Sequence, residues 1–255
     1  MLTRAEARLL RVLRRRRIRE AEGAFLVEGI RAVEDLLASP LGVRLLAWSS
    51  TLEDTDRGRA LLGGARRRGI PLREISATEL AEYADTEAPQ GVVAVADVPR
   101  WSLDDLRTTA SQAVVLVLDA VQDPGNFGTL VRTAEALGAA GVISLPGTVD
   151  AWNPKAVRAA MGSSFRLPVV SAAWDEAGPW LEREGFTVLA SMVGAPPLAA
   201  GRPGKAALVL GNEGAGVGPD TRARADAEVG IPLRGRAESL NVTSAAAILL
   251  YELLR

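Results

Sequence analysis

Apolar positions alternate along the chain between two spacings. In the first half, helix-like "RAEARLLRVLRRRRI" precedes strand-like "AFLVEG". Then come "IRAVEDLLAS" (helix), "VRLLAWSS" (strand), "DRGRALLGGARRRG" (helix), "PLREI" (strand), "ATELAEYA" (helix) and "GVVAVADV" (strand). Strands are read from short apolar runs and helices from the 3.6-residue period. This pattern predicts a basic N-terminal helix over 1–20 and a small α/β/α layer domain over 21–98. The polar, Pro-started stretch 99–112 reads as a linker.

The second half, 113–255, starts again with "AVVLVLD" (113–119), apolar at nearly every position. Such a strand is buried on both faces, as in a parallel sheet. Helices are predicted over "NFGTLVRTAEALGA", "PKAVRAAMG", "DEAGPWLERE" and "SLNVTSAAAILLYELLR", and strands over "GVISL", "LPVV", "TVLAS", "AALVLG" and "AEVGIPL". The last helix, Val242 to Leu254, is apolar almost all round, so it packs inside the domain or against a second subunit. The fold class is α/β throughout, with a parallel sheet in the second half.

Composition narrows the chemistry. The 255 residues are 48% hydrophobic and 4% aromatic, so the core is built from Ala, Leu and Val. No apolar run reaches the roughly 18 residues of a membrane span, and the charged N-terminus has no signal-like apolar stretch, which makes the cytoplasm the default. Cys and His are both absent. That excludes disulfides, thiolate sites, Ser-His-Asp hydrolysis and His-bound metals. No paired acids stand at a spacing suited to a metal. The remaining groups suit a reaction whose hard step is carried by a reactive cofactor. Net charge is −1, yet residues 1–20 hold eight Arg against two Glu. Arg14, Arg15, Arg16 and Arg17 are either an RNA-backbone contact or a solvated helix face.

Three strand ends carry unusual residues, and ligands of open parallel sheets bind outside such ends. In "LDAVQDPGNFGTLVRTAEALGA", Asn126 is a plausible N-cap, and Arg132 needs an acid or a ligand anion as partner. In "LGNEGAGVG" (210–218), glycines recur after a strand, where backbone approaches a ligand or simply turns. It lacks the Lys-Ser/Thr of a P-loop and the spacing of a dinucleotide fingerprint. In "IPLRGRAESLNVTSAAAILLYE", Ile231-Pro232-Leu233 ends a strand, and Ser239 and Asn241 are caps or site residues.

The ordered motifs N-F-G-x-L-x-R-T-A, L-G-N-E-G-x-G and I-P-L-x-G-x-x-E-S-L-N-V-x-x-A resemble those of the SpoU/TrmH family of RNA 2′-O-ribose methyltransferases, in the SPOUT class. "NPKAVRAAMGSSFRLPV" (153–169) resembles its intervening segment, and "EGAFLVEGIRAVEDLL" its N-terminal RNA-substrate-binding domain of L30e-like fold. The resemblance implies a deep trefoil knot that holds S-adenosylmethionine, a homodimer built through the C-terminal domain, no metal, and an RNA substrate, with 23S rRNA favoured over tRNA. An inactive RNA-binding module of the same fold is the rival class. Carried over by position, Gly211, Ile231, Leu240, Leu233 and Ser191 bind the cofactor. Arg132, Asn126, Glu213, Ser239 and Asn241 form the catalytic set.

Overall fold

In the computed structural model, which describes residues 1–106, 108, 111–198 and 203–255, the chain passes three times between two units. Met1–Arg100 and Asp150–Arg166 form the first; Trp101–Val149 and Leu167–Arg255 form the second. This division departs from the boundaries read along the sequence, because the segment 150–166 leaves the second half to complete the core of the first. Residues 107, 109 and 110 of the expected linker lie outside the described residues.

The basic N-terminal segment is two helices rather than one, α1 (Arg4–Val12) and α2 (Arg16–Glu22). A capping box starts α1, with Thr3 Oγ1 accepting from the Glu6 amide at 3.2 Å and the Glu6 carboxylate from the Thr3 amide at 2.8 Å. The break after Leu13 has a physical cause. Arg19 is buried, and its Nη1 donates to the Leu13 and Arg14 carbonyls at 2.8 Å each. Those carbonyls would otherwise serve a continuous helix. The same guanidinium pairs with Asp150, Nε to Oδ2 at 2.8 Å.

β1 (Ala24–Glu28), α3 (Ile30–Ala38), β2 (Val43–Trp48), α4 (Asp56–Arg67), β3 (Leu72–Glu74), α5 (Ala77–Tyr83) and β4 (Val92–Asp97) follow as expected. The sheet order is β1-β4-β2-β3, with β4 antiparallel to both neighbours and β2 parallel to β3. The inserted segment seals one face of this unit. Its Phe165 and Val157 are buried with Phe25, Val27, Leu46 and Leu62. The Trp152 and Phe165 rings lie 4.5 and 6.0 Å from that of Phe25, within the range of favourable aromatic contact.

In the second unit, β5 (Ala113–Leu118), α6 (Pro124–Leu137), β6 (Gly141–Ser144), the inserted α7 (Pro154–Ala160), β7 (Val169–Ser171), α8 (Trp174–Arg183), β8 (Thr187–Ser191), β9 (Lys205–Leu210), α9 (Pro219–Ala223), β10 (Ala227–Val229) and α10 (Val242–Leu254) succeed one another. The sheet, ordered β10-β8-β9-β5-β6-β7, is parallel at every pairing. Every residue of β5 is buried, as its unbroken apolar run requires. Leu106 lies in this core, and Trp101 and Leu103 pack against it, so the start of the expected linker belongs to the domain.

Two local expectations are corrected. The strand expected over 227–233 ends at Val229, ahead of Pro232, which has no amide to pair. Asp123, not Asn126, caps α6, its side chain accepting from the Asn126 amide at 2.8 Å with Pro124 in the first turn. The last helix, open between the domain interior and a second subunit, packs against α6, on which Leu130 and Ala134 are buried and Arg132 and Ala136 exposed. On α10, Ala246, Leu249, Leu250 and Leu253 are buried, while Ile248 and Tyr251 are 42% and 55% exposed.

Phe165→Ala in the full chain should destabilise the first unit by about 3–5 kcal/mol, the range for emptying a buried aromatic site. Urea unfolding followed by Trp48 and Trp152 fluorescence would measure it; an unchanged midpoint would contradict the sealing role of the inserted segment.

Candidate active site

The carboxyl ends of β8, β9 and β10 enclose a cleft of about 200 Å³. All five residues expected at a cofactor line it: Ser191 at the end of β8, Gly211 after β9, and Ile231, Leu233 and Leu240 beyond β10. Glu213 and Ser239 border it as well. The cleft is smaller than the roughly 300–1,000 Å³ usual for small-molecule sites. Its outer wall is the irregular segment 231–241, of which residues 232–241 are all exposed. A nucleoside-sized ligand would therefore be enclosed only in part. Met192, Val193 and Asn212, which sequence reasoning did not single out, also line it.

The glycine loop is a closed turn. Asn212 and Gly216 exchange two backbone hydrogen bonds of 2.9 Å. The Asn212 Oδ1 accepts from the amides of Gly214 and Ala215 at 2.9 and 3.0 Å. A Cβ on Gly211 would stand 2.1–2.2 Å from the backbone of Gly216 and Val217. Glycine is therefore required at 211 by the loop's own return limb. At Gly216 the requirement is conformational, φ +72°.

Beyond the β5–β9 ladder, side-chain hydrogen bonds fasten the loop to the connection between β5 and α6 and to the first turn of α6. Glu213 takes three of them, from the amides of Gln122 and Asp123 and from Asn126 Nδ2, each at 3.1 Å. Asn212 Nδ2 donates to the Ala120 carbonyl at 2.9 Å, and the Gly218 amide donates to Asp119 Oδ2 at 2.8 Å. Ala120 is left-handed, φ +58°, at a cost of about 1–2 kcal/mol for a non-glycine residue. Partial burial pushes the Glu213 carboxyl up. The donors from Asn126, Gln122, its own amide and Asp123 outweigh that and hold it below the ordinary value of 4.5. The joint brings Asn126 and Glu213 together.

Arg132 and Asn241 do not line the cleft. Arg132 is exposed, two turns along the helix whose first turn Glu213 holds. Asn241 caps α10, accepting from the Thr243 amide at 2.8 Å and the Thr243 hydroxyl at 2.6 Å. Arg14 to Arg17 are exposed at the α1–α2 turn of the first unit. Arg16 pairs with Glu20 at 2.7 Å, Arg14 donates to the Ala84 carbonyl, and Arg15 and Arg17 have no side-chain partner among the described residues. Among the described residues no group of three or more carboxylates is placed to hold a metal, and no helix is long and apolar enough to cross a membrane.

This α/β fold with its parallel sheet matches that of solved SpoU methyltransferases. The SpoU methyltransferase AviRb of Streptomyces viridochromogenes, solved in complex with the cofactor AdoMet, superposes with a TM-score of 0.87 at 31% identity, over 99% of this chain and 97% of that one. The profile of the SpoU rRNA Methylase family matches residues 113–251, and that of the MRM3-like substrate binding domain matches residues 5–94. The chain belongs to the SpoU rRNA methylase family. It is 38% identical to the 23S rRNA (guanosine(2553)-2′-O)-methyltransferase RlmP of Bacillus subtilis, over 92% of this chain and 90% of that protein. With the 23S rRNA (uridine(2479)-2′-O)-methyltransferase of Streptomyces viridochromogenes it shares 33% identity, over 96% and 87%.

Because the folded Glu213 carboxyl titrates below its unfolded value, its hydrogen bonds stabilise the protein above that value and are lost as pH falls through the folded one. Glu213→Gln should flatten this part of the acid limb. Melting temperatures of wild type and variant between about pH 3 and 6 would show it; parallel curves would mean that the carboxylate adds nothing to the joint.

Proposed function

We propose that this chain is an S-adenosylmethionine-dependent RNA 2′-O-ribose methyltransferase acting on 23S rRNA. The convergence of all five expected cofactor residues on one cleft, in a chain matched along both units by 23S rRNA 2′-O-methyltransferases, carries this reading. The cleft suits the cofactor in kind. Ile231, Leu233 and Leu240 offer apolar walls, and the glycine loop offers backbone groups unobstructed by side chains. When bound, S-adenosylmethionine supplies a methyl group already activated on a sulfonium. We include in this reading the deep trefoil knot of the motif segments, supported by the likeness to SpoU folds.

The protein's own task is to place a ribose 2′-hydroxyl and stabilise the charge that develops on it. Positioning of this kind is worth up to about 7–11 kcal/mol in model reactions. A guanidinium keeps its proton at physiological pH and is an awkward base. Arg132 is therefore assigned to phosphate binding and stabilisation of the alkoxide, with the proton leaving to water or a phosphate oxygen. Glu213 and Asn126 fix the start of the helix that carries Arg132. Ser239 and Asn241 set the third segment, Asn241 through the cap it makes. The presence of Arg132 and Asn126 opposes an inactive binding module. The match to rRNA enzymes along both units opposes a tRNA substrate.

Labelled methyl transfer to total rRNA and tRNA, followed by mapping, tests the reading; incorporation into tRNA alone, or none at all, would overturn it. Arg132→Ala should lower turnover by about 10²–10³, the loss on removing one oxyanion donor, with near-normal cofactor affinity. Neutralising Arg14 to Arg17 should instead weaken RNA binding and lower its salt dependence, by about 0.7–0.9 in slope per lost phosphate contact. Wild-type affinity in that variant would leave the arm a solvated helix face.

The reading also includes a homodimer built through the second unit, supported by the exposed Ile248 and Tyr251 on α10. Sedimentation at micromolar concentration should give twice the chain mass, and Ile248→Asp with Tyr251→Asp should yield monomers. A monomeric wild type would contradict this assembly.

A further inference from the structure

The described arginines of the second unit fall into two groups. Arg183 pairs with Asp104 at 3.2 Å, Arg222 with Glu228 at 2.5 Å, Arg224 with Asp175 at 3.3 Å and Arg255 with Glu252 at 2.8 Å. Arg132 also has a partner within the protein. Arg234 and Arg236 are the exceptions among the described residues of this unit: both are exposed, and neither makes a hydrogen bond or ion pair.

Their place in the fold gives this a meaning. They flank Gly235, beside whose Cβ direction lies open space, on the segment that walls the cleft. On this segment Leu233, Ser239 and Leu240 line the cleft, while Arg234 and Arg236 are not among its lining residues. Glu238 is the sole acid between Ile231 and Asn241, so the rim carries a net positive charge. Among the described residues of this unit, Arg183, Arg222, Arg224 and Arg255 are matched to carboxylates. The two unmatched ones stand beside the site where a polyanion would have to enter. Guanidinium is suited to phosphate, with a planar fork of donors and weak hydration.

We propose that Arg234 and Arg236 hold backbone phosphates of the RNA strand flanking the nucleotide whose ribose enters the cleft, a substrate contact separate from that of the N-terminal arginines. The inference rests on the RNA-methyltransferase reading of the same cleft. It divides the work between two basic regions. The first unit would hold RNA at a distance in sequence from the chemistry, and the rim would hold the reacting strand itself.

The test uses the full chain, 23S rRNA transcribed in vitro and labelled S-adenosylmethionine. Arg234→Gln with Arg236→Gln should raise KM for RNA by about tenfold and lower the slope of log K against log salt by about 1.4, two contacts at about 0.7 each on a single strand. Turnover should change far less than KM, and cofactor affinity by calorimetry should hold within about twofold. Arg234→Lys with Arg236→Lys keeps the charge and should restore most of the salt slope. The segment is exposed, so thermal melting should confirm that all variants fold. Unchanged KM and salt slope in the Gln variant would overturn the proposal. So would lost cofactor affinity with intact RNA binding, which would assign the arginines to the cofactor carboxylate. Filter binding of the same RNA decides the arginine contacts independently of catalysis; wild-type binding without methyl transfer would overturn the activity reading alone.

Discussion

One carboxylate joins the parts of the site. Glu213 receives three donors from the turn that begins α6, while it stands in the loop that ends β9. Hydrogen bonds to a charged acceptor are roughly twice as strong as neutral ones. Here they fix a helix start against a cleft wall. Asn212 and Asp119 extend the joint to both ends of the loop, and the left-handed Ala120 shows what it costs. An alanine persists there because its carbonyl is held by Asn212 at 2.9 Å. The cleft, the glycine loop and the first turn of α6 thus form a single hydrogen-bonded body, and Arg132 inherits its placement from it.

The elements whose apolar pattern had one solution were legible. β5 could only be a doubly buried strand, and α10 spans Val242–Leu254 as its pattern indicates. The cleft was legible through its motif resemblance, not its pattern, since a glycine loop alone is compatible with a bare turn. Other features carry signals in the sequence. Asp123-Pro124 is a cap followed by a first-turn proline, and Pro232 limits the strand before it. The break between α1 and α2 was not legible. Nothing distinguishes Arg19, which is buried, from its seven arginine neighbours in the first 20 residues until Asp150 is placed beside it.

The inserted segment shows the same limit on a larger scale. "NPKAVRAAMGSSFR" has a helical period and small apolar residues, and either unit offers a surface for such a stretch. Its assignment to the first unit rests on contacts made only in three dimensions. Arg19 meets Asp150, Arg158 meets Asp85 at 2.6 Å, and Phe165 fills the space beside Phe25. The family profile that covers residues 113–251 runs straight across this segment. Sequence kinship and compact folding units therefore divide this chain at different places.

The three passages of the chain between units also bear on how it emerges from the ribosome. When Arg100 leaves the exit tunnel, the first unit still lacks Trp152, Val157 and Phe165. At about 5–20 residues per second, the wait for Arg166 is roughly 3–13 s. β5 is by then already exposed, and the strand that pairs with it on one side, β9, follows only at Lys205–Leu210. Two half-built cores thus coexist on one nascent chain, each with bare apolar surface that the other could capture. For this protein the hazardous interval is set by the order of translation, and rare codons between 100 and 166 would lengthen it.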